Sequence, residues 1–143
     1  MTMATAEPSP TGHPGYNITM SSAPETAAEA RRLVRQSCAL WTFDAETGET
    51  AALLISELVT HAVQHGRSHS IRVIVARPSL NRVRVAVVDK KRGLVEVVRR
   101  SLEDVGGRGL VLVDALADRW GTDLLPWGKK CWAEITVKPE TDR

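Results

Sequence analysis

Residues 57 to 66 read Glu-Leu-Val-Thr-His-Ala-Val-Gln-His-Gly inside an apolar helix pattern. Glu57 and His61 stand four apart and so share one helix face, with His65 a turn further along. Glu57 is bordered by Leu54, Ile55 and Leu58, which puts a carboxylate at the margin of a core, where it serves as a base or as an ion-pair partner. Asp89 closes the apolar run Val85-Ala86-Val87-Val88. There it can accept a hydrogen bond from an exocyclic amine, although aspartate at a strand end is also ordinary turn chemistry. Gly106-Gly107-Arg108-Gly109-Leu110 then opens a second apolar run. Glycines let backbone N–H groups approach an anion, and a following helix adds the positive end of its dipole. An acidic residue on a helix followed by a glycine turn feeding a helix is the layout of a nucleotide-phosphate site, here without a Walker-type lysine. A metal site is a competing use of the same segment, because Glu57, His61, His65 and His69 recur every four residues. Against it, Gly66 should end the helix before His69, and no HExxH motif is present.

The elements that must hold these residues follow from periodicity and punctuation. Residues 1–15 carry Pro8, Pro10, Pro14, Gly12 and Gly15 with little to bury, and are expected to form a disordered tail. A short strand is expected at 16–20 and a helix at 24–40, with Pro24 in its first turn and Ala27, Ala30, Leu33 and Val34 at helical spacing. Residues 42–48 read as a loop, and a second helix spans 49–65 with Ala51, Leu54, Ile55, Leu58 and Ala62 as its buried stripe. Strands at 71–76 and 82–89, separated by a turn at 78–81, form a hairpin. Residues 90–105 have no periodicity, carry Lys90, Lys91, Arg92, Arg99 and Arg100, and are expected to be a mobile loop. A helix at 109–117, a strand at 119–122, a turn at 124–130, a strand at 131–137 and a polar tail at 138–143 complete the chain. The order predicts an α+β fold: a two-layer sandwich with a mixed, mostly antiparallel sheet and helices on one face.

Bulk properties narrow the function classes. A chain of 143 residues that is 43% hydrophobic holds one domain with a real core, expected over residues 16–137. A net charge of +2 is too mild to argue for nucleic-acid binding, and 4% aromatics gives few stacking platforms. Cys38 and Cys131 form no CxxC and read as free thiols in a reducing compartment. No apolar run is long enough for a membrane span, and no secretory signal is visible, so a cytoplasmic location without membrane contact is expected.

Together the motifs are more specific than any one alone. Glu57-Leu58-Val59-Thr60-His61-Ala62-Val63-Gln64-His65, the strand end at Asp89, and Gly107-Arg108-Gly109-Leu110-Val111-Leu112-Val113 occur in this order. Trp120-Gly121 and Gly128-Lys129-Lys130-Cys131-Trp132-Ala133-Glu134 follow at fitting distances. Here the chain resembles the histidine-kinase-like ATPase superfamily, the Bergerat-fold group, and within it the small actinobacterial anti-sigma-factor serine/threonine kinases. The resemblance covers residues 16–137. It implies ATP and Mg²⁺ as cofactors, with Glu57 as the base toward an accepting hydroxyl. Asp89 would bind the adenine amine. Gly107 and Gly109, with Arg108 and Leu110 in the same string, would lie at the phosphates, and 90–105 would be the lid. His65 matches the subgroup pattern. The implied partner is a sigma factor or an anti-sigma-factor antagonist, bound by a homodimer. Two positions depart from the family. His61 stands where the family places an asparagine whose oxygen ligates Mg²⁺, a hard ion that imidazole suits poorly. Lys90-Lys91-Arg92 replaces the small residues after the aspartate, with Gly93 arriving late. Both imply weakened nucleotide chemistry, and leave a catalytically inactive protein-binding module as the alternative.

Overall fold

The computed structural model describes residues 14–66, 68–90 and 110–137. In chain order they form β1 (Gly15–Ser21), α1 (Thr26–Leu40), α2 (Ala45–His65), β2 (Ser70–Ser79) and β3 (Arg82–Lys90). A short helix α3 (Val111–Leu116), β4 (Arg119–Leu125) and β5 (Gly128–Thr136) follow. The sheet order is β1-β2-β3-β5-β4. Every described pairing is antiparallel: β2-β3 and β4-β5 are hairpins, β1 joins β2 across α1 and α2, and β5 returns to lie beside β3. This is the expected two-layer α+β architecture.

Alternation along the strands separates two faces. Met20, Ile71, Val73, Val75, Val83, Val85, Val87, Cys131, Ala133 and Ile135 are buried in one cluster with α1 and α2. From α1 this core takes Ala30, Leu33, Val34 and Cys38, and from α2 Ala51, Leu54, Ile55, Leu58, Val59 and Ala62. The other sheet face carries Arg72, Ile74, Arg84, Trp132 and Glu134, the alternate residues in register.

Several boundaries differ from the expected ones. The loop assigned to 42–48 is shorter, because α2 starts at Ala45. Asp44 caps it, its side chain accepting from the Thr47 N–H at 3.1 Å, and this overrides the breaker at Gly48. Thr42, at φ 59°, ends the connection from α1 in the left-handed region, and Phe43 N–H returns to the Cys38 carbonyl at 3.0 Å, as in a helix C-cap. Pro78 belongs to β2 and not to the turn: the ladder shifts register between Ala76 and Ser79, and a bulge tolerates the missing N–H. The expected turn at 124–130 contracts to Pro126 and Trp127, because β4 extends to Leu125 and β5 begins at Gly128. Gly15, placed in the tail, pairs with Ala76 as the first residue of β1. The remaining tail positions 1–13, the tail 138–143, and 91–105 of the expected mobile loop lie outside the described residues; Lys90 is the last residue of β3.

Candidate functional site

The C-terminal end of α2, the end of β3 and the start of β5 meet at one edge of the helix layer. Their sequences cause this convergence. Odd-numbered residues of β3 face the helices, so the alternation that buries Val83, Val85 and Val87 carries on to Asp89, which is 2% exposed. In β5 the same alternation buries Cys131, Ala133 and Ile135 and carries back to Lys129, also 2% exposed. Asp89 and Lys129 are direct cross-strand partners. Side chains so paired leave the sheet on the same face, with Cβ atoms about 4.5–5.5 Å apart.

Two glycines make room for Asp89. A Cβ at Gly66 would lie 2.5 Å from Asp89 Oδ2 and 2.5 Å from the Ala62 carbonyl oxygen. Gly66 sits at φ −84°, so glycine is required there for close approach and not for a left-handed turn. Its N–H closes α2 onto the Ala62 carbonyl at 2.7 Å. A Cβ at Gly128 would collide with the backbone oxygen of Asp89. The Ser68 hydroxyl donates to the Lys90 carbonyl and ties the α2-β2 link to the same strand end.

Of the residues singled out in sequence, Glu57, His61 and His65 fall on successive turns of α2 as expected, and Asp89 reaches the end of the same helix through Gly66. Glu57 is half-buried, and His61 is 4% exposed with its ring 4.7 Å from that of His65. Leu110 is buried at the N-terminal end of α3, which packs on α2. Gly93, Gly107, Arg108 and Gly109 lie outside the described residues. Lys129 is the residue the sequence reading missed. Lysine is almost never fully buried unless paired. Its signal was the period-two pattern Lys129, Cys131, Ala133, Ile135, hidden because the strand was expected to start at Cys131.

The fit to cofactors divides at this point. Asp89, buried between Gly66 and the Lys129 strand, has the acceptor chemistry that an exocyclic amine needs. The magnesium position does not fit. His61 offers an imidazole nitrogen and no oxygen, and it is buried against a second imidazole. Among the described residues no three His, Cys, Asp or Glu side chains are grouped to hold a metal ion, so Glu57, His61, His65 and His69 do not assemble into a zinc site. Cys38 and Cys131 are both buried, and the Thr122 hydroxyl lies 3.6 Å from the Cys131 sulfur. No described helix is long and apolar enough to cross a membrane.

Comparison with known proteins agrees with this geometry. A solved structure described as the RsbU and RsbW domains of Rv1364c from Mycobacterium tuberculosis matches with a TM-score of 0.66 at 22% identity. The match covers 90% of this chain and 34% of that one, so the chain spans about a third of that protein, and at this identity the likeness is one of fold. No curated protein matches the chain. The family model for the histidine kinase-like ATPase domain matches residues 20–129, running from β1 through the Asp89 strand to Lys129, and the chain belongs to that family.

Proposed function

We propose that the protein is an intracellular regulator of the anti-sigma-factor kinase type. In this reading it acts as a homodimer that binds a sigma factor or an anti-sigma-factor antagonist, and its Mg²⁺-dependent phosphotransfer is weakened. The observation that carries the reading is the pairing of a buried Asp89, cradled by Gly66, with a buried His61 one turn from Glu57. The first supports a retained base-binding end, and the second supports a damaged metal end. Glu57 keeps the position of the residue that would accept the proton of a partner Ser or Thr, in chemistry that rests mainly on positioning and charge stabilisation. The test is phosphotransfer from radiolabelled ATP to a cognate antagonist, with and without Mg²⁺. The unmodified protein should transfer little or no label, and His61→Asn, which restores an oxygen ligand, should raise Mg²⁺-dependent ATP affinity. Rapid transfer by the unmodified protein would show that His61 is no obstacle.

Lys129 favours a second reading, a binding module without catalysis. Lys129 is the buried cross-strand partner of Asp89, and in this reading its ammonium competes with an incoming amine for the carboxylate. Calorimetry with ATP separates the two: measurable affinity that Asp89→Ala abolishes supports the first, and no heat at any accessible concentration supports the second.

A further inference from the structure

The sheet face turned away from the helices is strongly cationic. Residues alternate out of the core, and their register places Arg72, Arg82, Arg84, Lys90, Lys130 and Arg119 on this side. The acidic side chains among them are Glu134 and Asp123, so this face carries an excess of four positive charges, while the whole chain carries +2. Glu134, 4% exposed, is ringed by Arg119 Nη2 at 2.7 Å, Arg84 Nε at 3.4 Å and Arg82 Nη1 at 3.9 Å. One carboxylate therefore fixes three guanidinium groups and neutralises one. At one end of the face a groove of about 430 Å³ opens between Thr19, Arg72, Val88, Lys90 and Trp127. Trp127 is 50% exposed over it.

We infer that this face docks an acidic segment of a partner protein. Charge complementarity selects the occupant. Like-charged copies of the face repel one another, which disfavours self-pairing. The chain's own segments beyond the described residues do not supply the acid: 91–109 is net basic, 138–143 is balanced, and 1–13 contributes Glu7 alone. A single-stranded nucleic acid is gripped by several open aromatic faces in succession, and Trp127 offers one. Trp132 instead carries the Arg84 guanidinium 4.3 Å from its ring centre and that of Arg119 at 6.0 Å. An acidic peptide needs no stacking. Its carboxylates meet guanidinium groups already held in place by Glu134, and an apolar residue between them can enter the groove beside Trp127 and Val88.

The test is fluorescence anisotropy of a labelled glutamate-rich peptide titrated with the full-length protein, alongside a single-stranded oligonucleotide of equal charge. The peptide should bind, more weakly as salt rises, and more tightly than the oligonucleotide. Arg72→Glu with Lys130→Glu should weaken peptide binding by about tenfold or more. Neither residue touches Glu134, so the thermal midpoint should hold; if it falls, the neutralising single variants Arg72→Gln and Lys130→Gln should each weaken binding in the folded protein. The inference is overturned if the unmodified protein ignores the peptide, if the charge-reversed protein binds it equally, or if the oligonucleotide binds more tightly. It is overturned equally if sedimentation shows a dimer that charge reversal dissolves, since the face would then be a self-interface.

Discussion

Cys38 lies on the inward side of α1, 1% exposed, and burial pushes its thiol from 9.0 up to about 11. The thiolate is the reactive form, so Cys38 should resist alkylation in the native protein at neutral pH and react once the chain unfolds. The same shift links stability to pH. Between the two values the folded protein keeps a proton that the unfolded chain has released, so stability falls as pH rises from about 9 toward 11 and is unaffected below that window. The loss should reach on the order of 2 kcal/mol at the alkaline end. Urea unfolding at neutral and alkaline pH measures it, and Cys38→Ala should remove that part of the alkaline loss. An equal alkaline loss in both proteins would assign the effect to other groups. Lys129 and Asp89 are both buried and face each other in register on the helix side of the sheet, so a ligand of Asp89 shares that space with the lysine.

At the scale of elements, α2 carries most of the site, and its start is set by one side chain. Asp44 accepts from Thr47 N–H, and replacing such a cap by alanine costs about 1 kcal/mol. Asp44→Ala should lower the unfolding free energy by that amount, seen as a lower urea midpoint with an unchanged slope; no change would mean that packing of Thr47 and Gly48 alone fixes the first turn. This cap also explains what could be read in advance. The helix stripe of Leu54, Ile55 and Leu58 and the alternation of Val83, Val85 and Val87 repeat often enough to reveal type and face, and Gly66 marked the right end. Glu57, His61, His65 and Asp89 followed as positions on those elements. The start of α2 was hidden because Gly48, a breaker locally, is buried in the first turn beside Cys38, a contact that only α1-α2 packing reveals. Lys129 was hidden for a related reason. A lysine beside Gly128 after Pro126 reads as turn, and only the ladder to β3 turns it into a buried strand residue.

At the scale of the whole molecule, the two faces of the sandwich differ in how they can meet another copy. The open sheet face is cationic, so bringing two of them together costs electrostatic work that salt would relieve. The helical layer instead exposes apolar side chains: Leu40 at 63%, Leu53 at 40%, and Val111 at 59% on α3. Trp41 adds little to this surface, because it is half-buried and packs between Tyr16 and Phe43, with ring centres 6.3 and 6.0 Å away. A stable dimer buries about 1,200–2,000 Å² in total, and apolar burial supplies the drive without regard to ionic strength. Sedimentation at micromolar concentration should therefore give a dimer whose mass is the same in low and high salt, and Leu53→Glu should shift it toward monomer. A dimer that forms only in high salt would place the interface on the cationic sheet face. A strict monomer under all conditions, with and without nucleotide, would argue against the anti-sigma-kinase reading and for a binding module that acts as a single copy.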